Sequence, residues 1–444
     1  MDSLTGEVTE LLQALIRNAC VNDGTTESGF EGRSADLLAD YLGAGGLEVE
    51  RYEPTPGRGS LLARIEGTDT SAPTLMLMGH TDVVPVTPEN WDHDPFGGEL
   101  IDGEVWGRGA VDMLNLTASM AVATKHLASE GFRPKGTLLY LAVADEEAAG
   151  THGAEWIVER QWDDVACDYV ITESGGMPVR TPEGIRRPVI VGEKGIFWCV
   201  LKIKGTPGHG SQPLRTDNAL VKAAEVVRRI ADFRPRAEIH EIWRRFITGM
   251  GFPEDLAAPM LDPDRIYELC ESLPMLGLAR QAHACTHTTF APTMASGGVK
   301  HNVIPDRVEI AIDIRTLPGQ THDDITALLH EAIGDLADSV EIDVVTEDAA
   351  STSPIDTPLW DVLQRATEKV SPGSQNVPFM TVGGTDARFF RRRGIPSYGY
   401  GLFSDRIGFD EFAAMFHGDN ERVDVESLRL TTELWDVVVR DMVG

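Results

Sequence analysis

Two histidines and a series of carboxylates stand beside apolar runs or glycine-rich turns, and they are the nitrogen and oxygen donors that a divalent cation accepts. His80, Thr81 and Asp82 follow the apolar run 75–78. A strand end holds a ligand's backbone still at the place where open α/β sheets bind ligands. Asp82, two residues on, can accept the second ring N–H of His80 and so fix its tautomer. Asp145, Glu146 and Glu147 end the run 137–144. Three consecutive carboxylates there carry a desolvation penalty that a nearby cation would relieve. Adjacent glutamates also project differently, so one can bind a metal while its neighbour faces a substrate as a base. Glu173 closes the run 169–172, Asp112 ends a glycine-rich segment just before a helix, and His417 lies in Phe416-His417-Gly418-Asp419-Asn420-Glu421, ahead of the last helix. Singly, each has an ordinary reading: a strand-end hydrogen bonder, a helix N-cap, a solvated acidic loop or a surface histidine. Together, with one carboxylate bridging two ions about 3.5–4 Å apart, they would make a two-metal hydrolytic site.

The elements that must position these residues are read from periodicity. Apolar runs at 74–78, 137–144, 169–172 and 397–400 read as strands, and amphipathic stretches at 35–42, 114–129, 359–370 and 425–442 read as helices. That alternation predicts an α/β sheet with helices on its faces. The texture changes near Arg187: strand-like runs at 196–203, 286–292, 307–315 and 340–345 flank helices at 218–230 and 323–336, predicting an inserted ββαβ-type unit. A first domain is expected over 1–189, an insert over 190–346, and the first domain again over 347–444. Residues 233–282 receive no assignment. His283, Cys285 and His287 alternate as residues on one strand face do, spaced too widely to chelate one ion easily, and are read as structural.

Bulk properties exclude several classes. At 444 residues the chain exceeds one hydrophobic core, since cores stop growing near about 250–300 residues. A net charge of -31 gives a surface that repels nucleic acid and anionic lipid. No apolar run approaches the roughly 18–20 residues of a membrane span, so neither a nucleic-acid nor a membrane partner is expected. Leu4, Val8, Leu11, Leu12, Leu15 and Ile16 fall at helical spacing with no basic region before them, which reads as a helix of the folded domain rather than a signal peptide; a cytoplasmic location is the expectation. Cys20, Cys167, Cys199, Cys270 and Cys285 are scattered, which indicates neither a disulfide framework nor a structural zinc cluster.

The motifs Gly79-His80-Thr81-Asp82, Gly107-Arg108-Gly109 with Asp112, Asp145-Glu146-Glu147, Thr172-Glu173, Gly205-Thr206-Pro207-Gly208-His209-Gly210-Ser211, Asn302-Val303-Ile304-Pro305, Asp313-Ile314-Arg315, Gly383-Gly384-Thr385-Asp386 and His417-Gly418 occur in that order. In this the chain resembles the metallohydrolase family containing acetylornithine deacetylase, succinyl-diaminopimelate desuccinylase, aminoacylase and glutamate carboxypeptidase. The resemblance implies a zinc-exopeptidase-like catalytic domain, with helices on both faces of a mixed sheet, and an inserted α+β lid that also makes a homodimer. It implies two Zn2+, with Co2+ or Mn2+ acceptable to the same donors. Asp112 would bridge them, His80 and Glu173 completing one site and Glu147 and His417 the other. Asp82 would support His80, and Glu146 would be the general acid/base. His209 would reach into the partner subunit's site to stabilise the oxyanion. Arg315, Asn302 and the Gly383-Gly384 turn would hold a substrate carboxylate. The implied activity is hydrolysis of an amide next to a free carboxylate, in an N-acyl amino acid or short peptide, and Glu at position 173 leans toward the acylase and carboxypeptidase branches. The alternatives are a dipeptidase, a carbamoyl-amide hydrolase of the same fold, or a non-catalytic binding protein.

Overall fold

Parallel pairing gathers the strand ends that carry chemistry. In the computed structural model, which describes residues 3–444, Thr74–His80 lies between Thr137–Val143 and Tyr169–Thr172 and runs parallel to both. His80 is in register with Val143, so the loop bearing Glu146 and Glu147 opens directly beside it. These strands are the centre of a ten-stranded mixed sheet. Ser60–Ile65 and Val49–Tyr52 continue it antiparallel on one side. On the other side follow Ser397–Gly399, Gly184–Glu193 and Ser351–Thr352, with Ser374–Thr381 also paired to Gly184–Glu193.

The central strands are apolar on both faces because both faces are covered. Leu75, Leu77, Leu138 and Tyr140 pack with helices Ser3–Arg17, Gly32–Gly43, Leu114–Ser129, Pro358–Val370 and Val425–Val443. Met76, Met78, Leu139 and Leu141 pack on the opposite side with Ile157, Val158, Phe389 and Phe390. Met1 and Asp2, where the expected N-terminal helix begins, lie outside the described residues. Helix Leu114–Ser129 is buried on nearly every side, so its run of small residues replaces an amphipathic stripe. Gly79 lets this helix approach: a Cβ there would stand 2.4 Å from Thr117 Oγ1, the atom that donates to His80 O at 2.8 Å.

A second, antiparallel sheet has the order Thr289–Gly297, Arg307–Thr316, Gly195–Lys204, Val340–Asp348. Ile310, Ile312, Ile314, Phe197 and Leu201 face helices Ala219–Asp232 and His322–Ile333 and form a separate core. The chain crosses from the large sheet to this one between Glu193 and Gly195, and returns between Asp348 and Ser351.

The unassigned stretch is helical. Glu241–Met250, Glu254–Met260, Ile266–Ser272 and Leu276–Thr286 share a core built on Trp243, Phe246 and Ile247, which also packs Val377 and Met380 of the large sheet and Leu317 of the lid. This corrects the strand reading of His283, Cys285 and His287. Ala279, Ala282, Cys285 and Thr286 are the buried positions, the period of a helix rather than of a strand, and the rings of His283 and His287 stack with centroids 4.5 Å apart. The cysteines are free thiols. No helix among the described residues is long and apolar enough to cross a membrane.

Candidate metal centre

Asp112 sits between two histidines. Its Oδ1 lies 3.4 Å from His80 Nε2 and its Oδ2 lies 3.4 Å from His417 Nε2. Glu173 Oε2 is 3.8 Å from His80 Nε2, and Glu147 Oε2 is 3.1 Å from His417 Nε2. Two groups of potential ligands result, His80 with Asp112 and Glu173, and Asp112 with Glu147 and His417, each with its donor atoms within 4.8 Å of one another. Asp112 belongs to both and makes no helix-capping bond; the cap position of the following helix is Met113, joined to Asp112 by a cis peptide. Glu146 belongs to neither group, although it directly precedes Glu147 in the turn after Thr137–Val143.

The electrostatics suit divalent cations. Burial pushes the Glu147 carboxyl up to about 7, and the Asp112 charge adds to the shift. Glu146 is driven well above the usual carboxylate range, by burial first and then by the charge of Glu173. Burial would raise Asp112 as well, but hydrogen bonds from His417 and His80 hold it below the usual range. Hydrogen bonds to Asp112 and Glu147 lift His417 to about 10; at His80, burial opposes the shift and its bonds to Asp112 and Glu173 prevail. Carboxyls that resist ionisation beside imidazoles that resist neutralisation are what a bound cation reverses, because it favours the carboxylate and the neutral ring. Glu147 Oε1 and Glu173 Oε1 are buried without a hydrogen-bond partner, leaving lone pairs that a metal would take up. The donor set fits two such ions.

Behind the prospective ligands, Asp82 acts differently from the expected imidazole acceptor. His80 Nδ1 bonds the Asp82 backbone carbonyl at 3.0 Å, while the carboxylate stands 3.6 Å away. That carboxylate accepts from Glu146 N at 3.2 Å, Glu147 N at 3.1 Å and Asn22 Nδ2 at 2.9 Å, so it fixes the loop of the prospective base. Asp145 finds its positive partner in buried Arg58, whose Nη2 is 2.5 Å from Asp145 Oδ1 and 2.8 Å from Glu31 Oε1. Asn22, Glu31 and Arg58 escaped the sequence reading, and Glu421 figures in it only as the end of the segment around His417. Asp386, buried with neither carboxyl oxygen hydrogen-bonded and pushed up to about 8 by burial, was quoted there only as part of a motif.

The remaining expected residues belong to neither ligand group, and the Gly383-Gly384 turn leads into Asp386, whose carboxyl feels the charges of Glu173, His80 and Asp82. His209 pairs with Val303 in a two-stranded ribbon and is exposed, its Nδ1 2.7 Å from Ser211 Oγ; Asn302 accepts from Gly210 N at 2.8 Å in the same ribbon. Arg315 makes a two-point ion pair with Asp313, at 2.8 and 3.2 Å, beside the Trp198 ring. Gly383 and Gly384 lie in the turn after Ser374–Thr381, and a Cβ on Gly383 would meet open space.

A mixed sheet that presents such donors at its strand ends, joined to a smaller antiparallel lid sheet, defines a metallohydrolase. The chain belongs to peptidase family M20/M25/M40, whose sequence model matches residues 76–441. It is 30% identical over 399 residues to an N-fatty-acyl-amino acid synthase/hydrolase of Xenopus tropicalis, covering 86% of this chain and 75% of that protein. It is 26% identical over 368 residues to aminoacylase-1 of Sus scrofa, covering 80% and 78%. The fold matches an M20 family metallo-carboxypeptidase, Sso-CP2 of Sulfolobus solfataricus, with a TM-score of 0.71, 19% identity and 99% of each chain covered.

Proposed function

We propose that the protein hydrolyses the amide bond of an N-acyl amino acid, with Glu146 moving the proton. The observation that carries this reading is that Glu146 lies between Asp145 and the prospective ligand Glu147 in the turn at the site, its backbone N–H held by Asp82, yet belongs to neither ligand group. The relatives named as acting on acylated amino acids support an acyl substrate. Two divalent ions, zinc in this reading, would lower the pKa of a water and polarise the scissile carbonyl. Glu146 accepts the proton as that water attacks, holds it on its carboxyl, and delivers it to the leaving nitrogen. Arg315 orients the free carboxylate: Asp313 occupies Nε and Nη2 and leaves Nη1 for the substrate, with Asn302 and the Gly383-Gly384 turn completing the cradle. A panel of N-acetyl, N-succinyl and long-chain N-acyl amino acids, simple dipeptides and ureido acids tests the class. Faster turnover of dipeptides or ureido acids would replace this reading with a dipeptidase or a carbamoyl-amide hydrolase. Arg315→Ala is expected to lose about 10- to 100-fold in kcat/KM on N-acyl amino acids. Amides whose carboxylate is blocked should change little, and an equal loss on both would remove Arg315 from this role.

The two crossings, at 193–195 and 348–351, are the domain boundaries in this reading. The lid would pair with a second copy of the chain through Thr289–Gly297, an edge strand that carries exposed Met294 and whose Ala295, Ser296 and Gly297 line a groove with exposed Leu220. His209 would then serve the neighbouring subunit's site, donating to the carbonyl oxygen as its charge develops. Mixing His209→Ala chains with Glu146→Gln chains tests both claims. Heterodimers contain one intact composite site, so roughly a quarter of wild-type activity should return. No recovery after verified subunit exchange would place His209 within its own subunit's site or outside catalysis.

A further inference from the structure

Of the five prospective ligands, His80 and Glu173 stand at or just past the ends of parallel strands whose register sets their relative positions, and Glu147 lies in the turn after Thr137–Val143 with its backbone N–H bonded to Asp82 Oδ2 at 3.1 Å. Asp112 and His417 have no such support, because both lie on loops. One carboxylate joins those loops. Glu421 is fully buried, four residues after His417. Its Oε1 accepts from Val111 N at 2.6 Å and Asp112 N at 2.9 Å; its Oε2 accepts from Gly109 N at 2.9 Å and Arg108 Nη1 at 2.8 Å. Its main chain adds a fifth tie, Gly107 N donating to Glu421 O at 2.9 Å. The strand that follows, Arg422–Asp424, pairs with Glu104–Trp106 and leads both loops out of the same ribbon.

Burying a carboxylate near other carboxylates is costly unless its lone pairs are met. Here one guanidinium and three backbone N–H groups meet them, and all the donors belong to the segment that delivers Asp112. We propose that Glu421 is a positioning residue of the metal centre: it organises the Asp112 loop against the His417 loop before any ion binds, doing for these two prospective ligands what strand register and the Asp82 carboxylate do for the other three. The proposal rests on reading Asp112 and His417 as ligands, and its test separates the two claims.

Glu421→Gln keeps the shape but turns an amide N–H2 toward backbone N–H donors. In the folded full-length chain, competition with a chromophoric chelator should show both zinc affinities lowered by about 10- to 100-fold, because Asp112 is common to both sites. Saturating zinc should then restore much of kcat, which a general loss of stability would not predict. Wild-type affinity for both ions in folded Glu421→Gln would overturn the proposal. Asp112→Ala, measured in parallel, guards the premise: wild-type affinity in that variant would refute the ligand reading instead. A measurement on the wild-type chain applies even where Glu421→Gln does not fold. The amide protons of Gly109, Val111 and Asp112 should resist exchange in the metal-free protein as they do in the loaded one. Rapid exchange that slows only on adding zinc would mean that the ions, not Glu421, organise the loop.

Discussion

Glu146→Gln is expected to retain its metals and to lose about 10²–10⁴-fold in kcat, the usual cost of removing a general base. The substitution is nearly isosteric, and the backbone that aims residue 146 stays in place. Glu146 N is bonded to Asp82 Oδ1 at 3.2 Å, and Asp145, with φ of 71°, starts the turn while tied to Arg58. In the proposed role, what disappears is the oxygen that would accept a proton from the attacking water and return it to the leaving nitrogen. KM should change far less than kcat, since in the proposed function the substrate carboxylate is held by Arg315, Asn302 and the Gly383-Gly384 turn and not by Glu146. Elemental analysis beside steady-state kinetics checks this. Wild-type turnover in a metal-replete Glu146→Gln protein would exclude the assigned role, and loss of one metal equivalent would make Glu146 a ligand.

The sequence displayed one half of this site better than the other. His80, Glu146, Glu147 and Glu173 were visible because apolar runs end at them, and parallel strands bring their carboxyl ends together. Asp112 and His417 joined the donor set only in combination with the others, and their roles came from the family resemblance, as singly nothing distinguishes them from a helix cap and a surface histidine. The supporting residues were silent for a physical reason: their bonds are long-range in the chain and obey no period. Asn22 reaches Asp82 across 60 positions, Arg58 reaches Asp145 across 87, and Glu421 reaches Asp112 across 309. Fold class followed from alternation, whereas 233–282 did not yield, since its helices of seven to eleven residues are separated by Gly, Pro and Asp turns. His283 and His287 show the hazard of short windows, where alternate spacing in five residues agrees with a strand while the wider buried set is helical.

Chelation is expected to abolish activity and to make the fold less stable as pH rises. Without ions, the Glu147 carboxyl stands at about 7 against an ordinary 4.5, and Asp386 at about 8 against 3.8, burial being the first cause of both. A carboxyl whose folded value is raised contributes stability that is fully present below its unfolded value and is lost as pH climbs through the folded one. The slope approaches about 1.4 kcal/mol per pH unit for each such buried carboxyl. His417, lifted to about 10 from 6.5, acts in the same direction at the upper end of the range. Asp112, held below the usual range, acts in the opposite direction, but only in acid. With ions bound the dependence inverts, since protons and cations compete for the same groups and metal binding stabilises more as protons leave. Thermal unfolding of chelated and zinc-loaded protein between about pH 5 and about pH 8 should therefore give two curves that diverge, the metal-free Tm falling. A metal-free Tm that rises across this window would contradict the buried carboxyl cluster, and superimposable curves would mean that these residues hold no ion.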